Sequence, residues 1–244
     1  MTARPAGGER SAARAVSAPL ADAEALTTGA YLGVPDAFAR LRLSMGPAGV
    51  VVGRDRHGAP VVLRLFDRRP VHAVLLGPGA PAALLLWRVL ATGAHADVRT
   101  NRPEAWRVLR ERTPADRLRF PAPGEPAGQP GQAARPDRPL VEVADGVAPG
   151  PGPAQPWSAR VVVAAGVAAV AGPLRAADVV LVSRLAPDEA ARAAAALDLD
   201  QPSTELLQRL DEDMFAVIGG GADRYVWLSP TPAERDLAGP AVTG

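Results

Sequence analysis

The residues best placed to do chemistry are Gly77, Gly79 and Ala82, in the turn GPGAPA at 77–82. An apolar run, 71–76, precedes the turn and an apolar segment, 81–91, follows it. Glycines so placed let backbone N–H groups approach a phosphate at a helix N-terminus. Two versions of that chemistry can be tested residue by residue. A phosphate loop for nucleoside triphosphates needs a lysine for the β- and γ-phosphates and a Ser or Thr for magnesium. Counted from Gly77, Ala82 stands at the second glycine, Ala83 at the lysine and Leu84 at the hydroxyl. Phosphate charge would be neither neutralised nor bridged by metal, and no lysine occurs anywhere in the 244 residues. A dinucleotide fingerprint, G-x-G-x-x-A, is met by Gly77, Gly79 and Ala82, with Arg102 just past the next strand, where NADP enzymes place a base. Against it, Pro78 and Pro81 stiffen the turn and remove two amide donors. In the third reading the glycines only permit a tight turn, nothing binds, and no cofactor is needed.

Other candidates are weaker. Asp188 and Glu189 open a helical segment, where acids complement the helix dipole. Asp211, Glu212 and Asp213 have no converging partners for a cation. Ser44, Ser183 and Ser229 lack the G-x-S-x-G elbow of serine hydrolases. His57, His72 and His95 are scattered and there is no cysteine, so neither a metal site nor thiol chemistry is expected. His72, inside an apolar strand, reads as a core histidine. Trp87 and Trp106 read as helix-borne core residues, Trp87 the more clearly. Arg64, Arg68 and Arg69 suit either a partner or phosphate contact, or a charged sheet edge that resists aggregation. No catalytic residue is assigned.

These residues need a scaffold that brings strand ends together. Strands are expected over 71–76, 95–100, 118–120, 139–145, 158–164 and 177–185, with helices over 81–91, 103–109, 187–199 and 202–213. Thr100 or Asn101 is the expected cap of the second helix and Ser203 or Thr204 of the last. Hairpins are expected over 49–66, turning at Asp55 and Gly58, and over 214–229. The alternation predicts an α/β fold, a three-layer, mostly parallel sheet of P-loop-like or Rossmann-like kind with antiparallel hairpins at its edges. Residues 1–20 read as a disordered arm, 21–235 as one domain with a short packed segment near 20–45 and flexible Pro/Gly-rich insertions near 121–138 and 146–156, and 236–244 as a flexible tail.

The net charge of +1 gives no one-sign field to attract nucleic acid. No run approaches the ~20 apolar residues of a membrane span. The N-terminus lacks a continuous apolar core for a secretory signal, so the expectation is a cytoplasmic protein.

The stretch 53–86, GRDRHGAPVVLRLF followed by PVHAVLLG, resembles FtsK/TraG-like ATPases of DNA translocation and type VII secretion. In those proteins a G-x-D-x-x-G-x-P hairpin precedes the strand that leads into the phosphate loop. Pro70, His72, Leu75, Leu76 and Gly77 keep that strand's shape, and 177–230 is similar to the end of such a domain. The resemblance sets Asp145 at the Walker B aspartate, with Gly146 in place of the adjacent catalytic glutamate. The segment GAHADVRTNRPEAW (93–106) also looks like cytosolic parts of the actinobacterial type VII apparatus, including its EccE-like component. The resemblance implies a relative that has lost catalysis and works as a scaffold with a protein partner, a secretion-system component. Sheet order separates this from the nucleotide-binding alternative. ATPases of the P-loop kind insert a strand between the first two strands of the unit, and Rossmann domains do not.

Overall fold

Short valine-rich runs make the sheet, because β-branched side chains pack well on a pleated surface. The computed structural model describes residues 49–78, 81–122, 125, 133–150, 155–219 and 223–237, all within the compact unit Met45–Gly244. The arm at 1–20, the segment at 20–45, Gly79, half of the first insertion, the centre of the second and the end of the tail lie outside the described residues. In chain order the elements are β1 (Val50–Arg54), β2 (Pro60–Leu63), β3 (Val71–Leu76), α1 (Ala82–Ala91), β4 (His95–Thr100), a 3-10 turn (Pro103–Trp106), α2 (Arg107–Arg112), β5 (Leu118–Arg119), β6 (Leu140–Asp145) and β7 (Ser158–Ala164). A 3-10 turn (Val167–Ala169), α3 (Ala171–Arg175), β8 (Val179–Val182), α4 (Pro187–Leu197), α5 (Gln201–Arg209), β9 (Met214–Gly219), β10 (Arg224–Trp227) and a 3-10 turn (Pro232–Leu237) complete it.

All ten strands form one sheet, ordered β2-β1-β10-β9-β8-β3-β7-β6-β4-β5. From β8 to β5 every pair is parallel, so these strands end at one common edge. Both antiparallel hairpins lie beside β8 and join through Arg54 opposite Trp227. They form a single wing on one side of the sheet. Apolar residues cover both faces of the central strands, which makes three layers. One face packs under α1, Trp106 and Leu109, and the other under Val167, Leu174, Ala190, Ala193 and Leu207.

Local chemistry explains most element ends and corrects several expectations. Asp55 Oδ1 accepts from the His57 and Ala59 amides, which makes the hairpin turn. Asp200, rather than Ser203 or Thr204, caps α5 through the Ser203 amide. The 3-10 turn before α2 has no side-chain cap from Thr100 or Asn101. The short helix α3 was not legible in its Gly- and Pro-containing sequence, and β8 is shorter than 177–185. Trp106 is the deeply buried tryptophan at 2% exposure, whereas Trp87 is only partly buried against the core. His72 is half-buried, being near the amino end of its strand. His95 also lies at that end, where its Nε2 accepts from Arg138 and its Nδ1 meets the Asp116 carbonyl oxygen. Burial holds its imidazole below the ordinary histidine range against the raising effect of the Asp116 hydrogen bond, and Arg138 and Arg117 add to the lowering.

One ion pair fastens the wing to the central layer. Arg88 of α1 meets Glu234 in a two-pronged contact, Nε to Oε1 at 2.7 Å and Nη2 to Oε2 at 3.0 Å. Its remaining donors reach the carbonyl oxygens of Val52 in β1, at 2.9 Å, and Leu228 after β10, at 3.1 Å. Thr231 donates to Glu234 from both its amide and its hydroxyl. Both charges are nearly removed from water, and both carboxylate oxygens accept hydrogen bonds, the condition under which a buried pair holds. The Arg88 hydrogen bonds come first in holding the Glu234 carboxyl down to about 2. A carboxyl depressed in the folded state gives stability that is complete above its unfolded pKa and lost as pH falls through its folded one. We therefore expect urea unfolding to show about 3 kcal/mol of stability lost as pH falls from the ordinary carboxylate range towards 2. Glu234→Gln should cost about 3–5 kcal/mol at neutral pH and should remove that part of the acid dependence.

Candidate functional site

The common carboxyl edge of the parallel strands carries Gly77 and Arg102, with Ala82 opening the helix beyond it, whereas Arg64, Arg68 and Arg69 lie between β2 and the amino end of β3. Along the edge the order is Ser183 after β8, Gly77 after β3, Ala164 of β7, Asp145 of β6 and Thr100 to Arg102 after β4.

Gly77 adopts φ +120°, a conformation side chains avoid. A Cβ there would lie 2.2 Å from Ser183 Oγ. Its N–H donates to the Ala164 carbonyl oxygen at 2.9 Å, so it is already paired within the sheet. Ser183 answers with its own amide to the Leu76 oxygen at 2.9 Å. Its hydroxyl lies 3.4 Å and 3.3 Å from the carbonyl oxygens of Leu76 and Pro78. Pro81 precedes the helix without an N–H to offer. Ala82 and Ala83 are partly buried against the core, and Leu84 is wholly buried. The first turn of α1 therefore faces the sheet with hydrocarbon.

Asp145 is 1% exposed. An ionised carboxylate survives such burial only when its oxygens are satisfied. Oδ2 accepts from Thr100 Oγ1 at 2.7 Å and from Trp106 Nε1 at 2.9 Å. Oδ1 takes the guanidinium of Arg102 as an ion pair and hydrogen bond. Thr100 Oγ1 in turn accepts from the Arg102 amide at 2.8 Å. Asn101 donates to the Gly146 carbonyl oxygen at 2.8 Å, and its own amide reaches the Asp145 carbonyl oxygen at 3.3 Å. Gly146, at φ +64°, has no room for a Cβ, which would lie 2.3 Å from Asn101 Oδ1. The loop after β4 is thereby locked onto the end of β6.

This arrangement separates the nucleotide contacts of the dinucleotide reading. β7 and β6 stand between β3 and β4, so Gly77 and Arg102 are three strand spacings apart, about 14 Å. In a Rossmann domain the corresponding strands are adjacent. Arg102 holds Asp145, not a ribose phosphate position. Gly79 lies outside the described residues. The charge pair at α4 also does more than complement a dipole: Glu189 Oε2 accepts from the Val167 amide at 2.6 Å and ties down the connection after β7.

Nor does the set fit a magnesium nucleotide. Ala83 and Leu84 offer no ligand, and both Asp145 oxygens are occupied by the chain's own donors. The guanidinium of Arg102 takes the place beside the carboxylate that a cation would need. Among the described residues no cluster of three or more His, Asp or Glu could hold a metal ion, and no helix is long and apolar enough to cross a membrane. Thr100, Trp106 and Ser183 were not legible as site residues. A charged residue ending an apolar strand announces a need for partners, but not which ones.

The chain has a P-loop ATPase-like α/β fold. Its fold is similar to that of VirB4 of Thermoanaerobacter pseudethanolicus, with a TM-score of 0.54, 11% identity, and 78% of this chain and 99% of that one covered. Looser likenesses are to the genome packaging NTPase B204 of Sulfolobus turreted icosahedral virus 2, solved with ATP-gammaS, and to the cytoplasmic domain of the Thermomonospora curvata type VII secretion ATPase EccC. The first has a TM-score of 0.46 and 10% identity, over 67% of this chain and 98% of that one. The second has a TM-score of 0.48 and 12% identity, over 83% of this chain and 32% of that one. No family model matches the chain, and no curated protein sequence does.

If Asp145 is a structural hub, its loss is a stability defect. Asp145→Ala leaves a buried indole N–H and a threonine hydroxyl without acceptors, and should cost at least about 2 kcal/mol in urea unfolding. The emission of Trp106 should shift to longer wavelength in the folded variant.

Proposed function

We propose that this chain is a non-catalytic interaction or scaffold protein built on a degenerate P-loop-like core and associated with a type VII secretion or FtsK-like system. The observation that carries the reading is the state of Asp145, whose carboxylate is consumed by Thr100, Arg102 and Trp106. A working phosphoryl-transfer site needs that position free to act on a metal, together with a lysine on the phosphates. Ala83 occupies the lysine's position, and no lysine elsewhere can substitute. The wider frame supports the family side of the proposal. The motifs at 53–86 and 177–230 keep the FtsK/TraG-like pattern, and the fold is shared with VirB4. A core that keeps its packing and not its reactive groups presents surfaces, and its partner is then a protein component of the secretion system.

Purified protein should show no ATP turnover above background. It should show no thermal stabilisation by magnesium ATP or NADPH. Binding at a hundred times the dissociation constant would stabilise it by about 2.7 kcal/mol. ATP turnover that a bulky substitution at Gly79 abolishes would overturn the proposal.

A further inference from the structure

The helical layer opposite α1 stops short of the wing. It covers Ala216 of β9 and takes in Ile218 and Tyr225 at its margin, and among the described residues its cluster includes none from β1 or β2. Val51 is 47% exposed and Val62 41%, and they are direct cross-strand partners. With Leu206 they are the exposed large apolar side chains among the described residues. Beside them on the same face lie Arg54, whose cross-strand partner on β10 is the partly exposed Trp227, and Arg64. Arg54 pairs with Pro60 two steps along the ladder, past a bulge, and Arg64 follows Val62 two residues later, on the same side. Two valines are therefore bracketed by two exposed arginines. Arg64 has one weak ion pair, with Asp67 at 4.0 Å, and Arg54 donates to the Gly58 carbonyl oxygen. Among the described strands β2 is also the edge strand, hydrogen-bonded to β1.

We infer that the edge of β2 is a docking site for an extended segment of a partner protein with the pattern acid, any residue, aliphatic, any residue, acid. Such a segment would add as a strand along β2. Its aliphatic side chain would extend the Val51–Val62 pair. Its carboxylates, four residues and about 13 Å apart, would meet Arg64 at one end and the Arg54 side of Pro60 at the other. The charges favour this occupant over two others. A second copy pairing edge to edge would set two arginine-bracketed patches side by side with no carboxylate between them. A nucleic acid strand would leave both valines in water. This inference does not depend on whether a nucleotide binds at the carboxyl edge.

The test uses the full chain and a fluorescent peptide, Thr-Glu-Thr-Val-Thr-Glu-Thr, blocked at both ends. Its counterpart with lysine for glutamate is the control. Fluorescence anisotropy should show the glutamate peptide binding at least tenfold tighter than the lysine peptide, and more weakly as salt rises. Arg54→Glu combined with Arg64→Glu should invert that preference. Val62→Glu should abolish glutamate-peptide binding while leaving the thermal melt unchanged, since Val62 is exposed. Amide exchange at Val61 to Leu63 should slow when the peptide is bound. Failure of the glutamate peptide to bind at millimolar concentration would overturn the inference. So would equal binding of both peptides, tighter binding of an oligothymidylate, or self-association of the protein that Val62→Glu removes.

Discussion

The buried carboxylate of Asp145 is the constraint on which the carboxyl edge depends. A charge at the end of a parallel strand, shielded from water, must be matched or neutralised. Here it is matched three times, by a hydroxyl, an indole N–H and a guanidinium, from the last residue of β4 and the segment that follows it. That one requirement fixes the path of Thr100 to Trp106. It also buries Trp106 and sets Leu109 on the face beneath α1, among the residues that close the core.

The second organising contact acts at the other side of α1. Arg88 links the central helix to β1, to the end of β10 and to the closing 3-10 turn through one guanidinium. The wing is antiparallel and rests on α1 on one face only, so its alignment with the parallel strands depends on this charged fastening as well as on packing. At the far edge of the wing, exposed Val51 and Val62 lie beside Arg54 and Arg64.

Much of the architecture was legible in the sequence. The runs at 71–76, 95–100 and 158–164 are strands at their expected bounds, because valine- and alanine-rich runs bounded by Gly, Pro or turn residues leave little choice of structure. The two hairpins were legible from their turns. Their union into one wing was not, because strand order depends on long-range pairing such as Arg54 with Trp227, which no local pattern encodes. The candidate site was legible as a place and not as a network. Gly77 and Asp145 could be picked out from position. The roles of Thr100, Trp106 and Ser183 arise from neighbours brought together across strands. Arg102 shows the hazard plainly: its spacing from Gly77 suits a phosphate contact only if β3 and β4 are adjacent, and two other strands lie between them.

The most direct measurement of the central claim follows the Trp106 indole N–H through a titration with magnesium and ATP. The chain has four tryptophans, so its indole signals can be resolved and assigned by substitution in a nitrogen-15-labelled sample. An Asp145 carboxylate held by internal donors predicts a Trp106 signal that stays at its starting shift and remains protected from exchange throughout. A Trp106 signal that moves saturably with magnesium ATP, or loses its protection, would mean that Asp145 turns from its internal donors to a metal nucleotide. The account of a closed, non-catalytic edge would then be contradicted.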